Sequence, residues 1–154
     1  MNLTDHFTLE EMVLSETASR LGLDNTPNEE QVRNLTRVAQ FLEQVRSMAR
    51  TTYGPNRVIA ITSGYRAPLV NESVGGKVTS AHCQGLAADF HCPGVPVLDL
   101  AKLIEAKLTG YDQLIHEFGA WVHVGLSAAG VTPRHMSLTI GGRPVTTQTG
   151  LWPL

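Results

Sequence analysis

His82, Asp89 and His123 are the residues that most restrict what this chain can fold into. They lie in Ser80-Ala81-His82-Cys83-Gln84-Gly85-Leu86-Ala87-Ala88-Asp89 and in Trp121-Val122-His123-Val124. Two imidazoles and a carboxylate suit a tetrahedral metal with one position left open, so the fold has to return a distant histidine to the first pair. Zinc held by three such side chains lowers the pKa of its remaining water toward ~7, which makes hydroxide available near neutrality. The residues therefore point to hydrolysis. Calcium would want more oxygens, and a structural zinc usually takes four side chains, often several cysteines. Cys83, Cys92 and His91 flank the three residues, but the cysteines read as small buried apolar side chains and His91 as a neighbour of the site.

The N-terminal third carries helix signals. Thr8-Leu9-Glu10-Glu11 is a capping box that opens a helix through about Leu21, which Gly22 ends. Thr26 caps a second helix, with Pro27 at its first position and Glu29 completing a box. In that helix Val32, Leu35, Val38, Ala39, Leu42, Val45 and Ala49 share one face, and it should end near Thr51 to Pro55. The period then changes. Arg57 to Thr62 is rich in β-branched residues and reads as a strand, Asn71 to Ser80 as a surface loop, and Leu86 to His91 as a strand that turns Asp89 away from the core. Val97 to Leu108 reads as a helix. Gln113 to Phe118 and Trp121 to Leu126 read as strands joined by a tight turn at Gly119-Ala120, with Gln113, Ile115 and Glu117 on one face and Leu114, His116 and Phe118 on the other. One more extended stretch covers His135 to Ile140.

The chain of 154 residues fits one domain, 1–154. A formal charge of -2 and a pI near 6.3 give no basic field for nucleic acid. No run reaches the ~18 apolar residues of a membrane span, and Met1 to Asp5 lacks the features of a signal peptide. A soluble monomer made in the cytoplasm is expected.

Four segments resemble the M15 metallopeptidases that share the hedgehog/D-Ala-D-Ala peptidase fold, in particular short bacteriophage and prophage forms: His6 to Met12, Thr62-Ser63-Gly64-Tyr65-Arg66, Ser80 through Asp89, and Trp121-Val122-His123. The resemblance implies an α+β domain with helices packed on a small antiparallel sheet. It also implies one Zn²⁺ bound by His82, Asp89 and His123, and cleavage of peptidoglycan stem peptides. The place of action would be the cell wall or periplasm, reached after release by another component or from a virion.

Many M15 enzymes carry their acid–base residue three positions before the last histidine. Here that position is Ala120, and the nearest acid is Glu117, which a hairpin brings back toward the metal. Glu117 is therefore expected as the catalytic base, with His116 the alternative. By the same resemblance Arg66 binds a substrate carboxylate or polarises the scissile carbonyl, using its planar fork of donors. Ser80 bonds the substrate backbone. Trp121 and Tyr65 are expected to pack beside the site, and Asp112 to be a turn residue. A noncatalytic zinc-fold binding module and a cytoplasmic D-Ala-D-Ala dipeptidase remain as other classes. An acid pointing to solvent would favour the former, and a closed pocket the latter.

Overall fold

The computed structural model describes residues 1–154. Three helices come first: α1 (Leu9–Val13), α2 (Glu16–Leu21) and α3 (Glu29–Tyr53). The box at Thr8 forms as the sequence predicts, with the Thr8 hydroxyl accepting from the Glu11 amide and the Glu11 carboxylate accepting from the Thr8 amide. The single helix expected through Leu21 is two, because the Ser15 side chain accepts from the Ala18 amide and starts a new one. Gly22 ends α2 in the left-handed region, at φ 66°. The start of α3 also differs from expectation. Asn28 is its cap and Gln31 completes the box, while both the amide and the hydroxyl of Thr26 are held by the Asp24 carboxylate.

Strand β1 (Ala60–Ser63) begins later than the expected Arg57, since its partner β2 (Ala87–His91) runs out just before Pro93, which has no N–H to continue the ladder. Between them the segment read as loop starts with a short helix, α4 (Pro68–Ser73), with proline in its first turn. Helix α5 (Val97–Lys107), β3 (Gln113–Glu117) and β4 (Trp121–Gly125) fall close to their predicted ranges. The turn between the two strands is centred on Phe118 and Gly119 rather than on Gly119 and Ala120, and the Ala120 amide donates to the Glu117 carbonyl. β5 (Met136–Gly141) and β6 (Thr146–Thr149) complete one sheet in the order β1-β2-β4-β3-β5-β6.

The architecture is α+β. The antiparallel expectation holds for four of the five strand pairings, and β3 with β5 is parallel, which makes the sheet mixed. Strand β6 had no readable signature, because Thr-Thr-Gln-Thr is exposed throughout and lacks apolar alternation.

Hydrophobic patterning decides which face of the sheet is covered. The α3 stripe Leu35, Val38, Ala39, Leu42, Val45 and Ala49, joined by Phe41, is buried in one cluster with Leu100, Ala101 and Ile104 of α5. The same cluster contains Ala88 and Phe90 of β2, Leu114 of β3, and Val122 and Val124 of β4. Strand alternation then leaves Asp89, Ile115, Glu117 and His123 on the opposite face. No helix is long and apolar enough to cross a membrane.

Candidate metal centre

Register sets the site. Asp89 lies directly opposite His123 across the β2–β4 ladder, and Ile115 lies opposite His123 on its other side. Glu117, two residues beyond Ile115 and opposite Trp121, shares that face. His82 arrives on a one-turn 3-10 helix (Ala81–Gln84), whose backbone is tied to α3: the Gln31 side chain donates to the Cys83 carbonyl at 3.1 Å and Asn34 to the Gln84 carbonyl at 2.9 Å. Gly85 allows this approach. It has a φ of 69°, and a Cβ there would stand 2.6 Å from the Gln31 carbonyl oxygen.

The His82 Nδ1–H donates to the Gly64 carbonyl at 2.6 Å, which fixes the ring and leaves Nε2 with its lone pair, 3.3 Å from Asp89 Oδ1. His123 Nδ1 is 2.8 Å from the same oxygen. All three residues are buried, and their donor atoms lie within 4.8 Å of one another. Burial depresses the His82 pKa, and Arg66 and His123 add to this against the opposing pull of Asp89. Burial alone would raise Asp89, but hydrogen bonds and charge from His123 and His82 hold it far below the ordinary carboxylate range. A neutral imidazole and an ionised carboxylate are the protonation states that bind a metal. The donor set, its convergence and the carbonyl that orients His82 all fit a metal ion held by His82, Asp89 and His123.

Arg66 and Ser80 stand beside this centre. Arg66 Nη2 donates to the Ser80 hydroxyl at 3.4 Å, the His82 amide donates to the same hydroxyl at 3.3 Å, and the Arg66 amide donates to the His82 carbonyl at 3.1 Å. Arg66 Nε is buried without a protein partner. Glu117 is half-buried, and its pKa is raised by that burial first and by the Asp89 charge second, with His123, Arg66 and Trp121 pulling the other way. The five expected site residues other than Glu117 are thus joined by direct contacts, and Glu117 is within electrostatic reach of Asp89, His123 and Arg66.

His116, the alternative base, is on the other face of β3, where its Nδ1 meets the Trp152 carbonyl at 2.9 Å. His91, Cys83 and Cys92 are not among the converging donors, and both cysteines are buried free thiols. Two supporting residues had no signature in the sequence. Gly64 supplies the carbonyl that orients His82. Asn25 donates to the Val13 and Tyr65 carbonyls and accepts from the Ala67 amide, clamping the backbone on both sides of Arg66. Asn25 lies in a polar connection, Asp24-Asn25-Thr26, and its partners Tyr65 and Ala67 are some forty residues away.

The Peptidase M15 family model matches residues 5–125, a span that contains every residue of the centre. No curated protein matches the chain.

Proposed function

The chain belongs to the Peptidase M15 family, whose members are metal-dependent, and from that premise we propose that it is a zinc peptidase that hydrolyses stem peptides of bacterial peptidoglycan. The observation that carries the reading is that strand register puts a half-buried carboxylate, Glu117, on the same sheet face as Asp89 and His123, which converge with His82. When bound, zinc supplies Lewis acidity and a water of lowered pKa. Two imidazoles and one carboxylate favour zinc over a harder cation.

The protein's own groups do the rest. Glu117, whose pKa is raised by burial, takes a proton from the attacking water and delivers it to the nitrogen of the leaving amine. Arg66, with Nε free of protein partners, holds a substrate carboxylate or polarises the carbonyl to be attacked. The Ser80 hydroxyl accepts from Arg66 and from the His82 amide, so its own proton is available to a substrate carbonyl. The half-buried position of Glu117 on the face that carries Asp89 and His123, rather than toward solvent, favours an enzyme over a noncatalytic binding module.

The wall or periplasm is the place of action that this substrate requires, and lysis by a phage enzyme is the role we assign to it. Purified sacculi digested with the zinc-loaded protein should yield new peptide termini identifiable by mass spectrometry. Intact sacculi after prolonged incubation would sink the assignment of substrate.

A further inference from the structure

Phe118 occupies backbone that its side chain disfavours. The turn after β3 has positive φ at both central residues, 54° at Phe118 and 66° at Gly119. This is the pattern of a type I′ turn, for which the first central position selects asparagine, aspartate or glycine. A bulky residue there is an outlier. The ring gains little burial in exchange, since Phe118 is 48% exposed. Strain of this kind persists where the surrounding structure enforces it, and it clusters at functional sites.

The location gives the strain a purpose. Phe118 directly follows Glu117, and its ring centroid lies 5.4 Å from that of Trp121, tilted by 50°. Trp121 is the cross-strand partner of Glu117 and lies two residues before His123. Its indole Nε1 is buried and faces the Glu117 carboxylate, whose charged form it favours. An exposed aromatic ring, Phe118, and the Trp121 ring therefore sit next to the proposed base, in contact with each other.

We propose that Phe118 and Trp121 form an aromatic wall that binds the stem-peptide residue flanking the scissile bond, Phe118 taking its methyl or methylene surface and the Trp121 ring backing Phe118. The proposal rests on the peptidase reading above and adds a specificity-determining subsite to it. Phe118 touches substrate, Trp121 positions its ring, and neither transfers a proton.

The test compares Phe118→Asn, Phe118→Ala and Phe118→Tyr in the zinc-loaded protein with a soluble disaccharide-pentapeptide as probe. Asn and Ala both remove the ring, but only Asn tolerates the left-handed backbone, so Phe118→Asn should melt a few degrees above Phe118→Ala. Both should raise KM about tenfold with kcat within roughly twofold, and Phe118→Tyr should restore KM. A merely structural turn residue would not give a more stable variant with poorer KM. Binding is read separately in Glu117→Gln, with Trp152→Phe added so that Trp121 is the sole tryptophan and its emission reports the probe. A KM within twofold of the parent in Phe118→Ala, or unaltered probe binding in the Phe118→Ala form of that sole-tryptophan variant, overturns the aromatic wall. Failure of the parent to cleave while still binding the probe through Phe118 counts against the peptidase reading and leaves the wall standing.

Discussion

At the scale of single residues, the centre depends on which atom of each side chain is already committed. His82 presents Nε2 because Nδ1–H is spent on Gly64, and Asp89 stays ionised because two histidines face it. Glu117 has the opposite environment, one whose burial favours the proton, which suits the role of base proposed for it. Glu117→Gln should keep metal content and lose ~10²- to 10⁴-fold in kcat, measured by stopped assay alongside metal analysis. Retention of most activity would remove Glu117 from the role of base. Arg66→Lys keeps the charge and loses the fork, so kcat/KM should fall at least about tenfold at unchanged metal content. Equal loss of metal in that variant would mean that Arg66 supports the fold around His82 rather than the substrate.

At the scale of elements, the site is held by contacts between segments that the sequence does not show as neighbours. Helix α1 meets the end of β1 where the Tyr65 amide donates to the Met12 carbonyl at 2.7 Å, and a Cβ on Gly64 would overlap that carbonyl. Gly64→Ala should therefore push the backbone away and misplace the acceptor of His82, lowering both thermal stability and metal affinity, the latter by roughly 10- to 100-fold in a competition titration. Unchanged metal affinity in a folded Gly64→Ala protein would show that another group can orient the ring. Helix α3 braces the 3-10 turn that carries His82, and its start is fixed by the Asn28–Gln31 box. Asn28→Ala should cost about 1 kcal/mol in a denaturant titration, whereas Thr26→Ala, which removes no cap, should cost less. The reverse ranking would restore the cap that the sequence alone suggested.

At the scale of the whole molecule, the tail beyond residue 125 is joined to the matched region through β5, which pairs in parallel with β3, and through Arg134, whose guanidinium forks onto the Asp112 carboxylate. Asp112 is thus more than the turn residue expected of it. Its pKa is lowered, first by the Arg134 hydrogen bonds. A depressed folded value means that the pair contributes fully above the ordinary carboxylate value of 3.8 and loses its contribution as pH falls through the lower folded value. Because Arg134 is largely exposed and screened, the contribution should be about 0.5–1 kcal/mol. The stability gap between the parent and Asp112→Asn, followed by urea unfolding, should hold from pH 7 to about 5 and close below about 4. A gap that persists undiminished at pH 3 would assign it to packing.

The sequence determined the helix start at the Thr8 capping box, the apolar stripe of α3, and the histidines and carboxylates to look for at the centre, because those signals are local. Alternation along β3 even placed Glu117 and His116 on opposite faces. Only the tertiary structure decided what depends on register and on distant partners: that Asp89 and Ile115 flank His123, that Gly64 and Asn25 orient the centre, and that β5 joins the sheet in parallel. It also decided which of two nearby caps prevails at α3, since Thr26 instead donates its amide and hydroxyl to the Asp24 carboxylate. Such choices are made by groups close in space and far apart in the chain, and a reading of residues in order carries no information about that proximity.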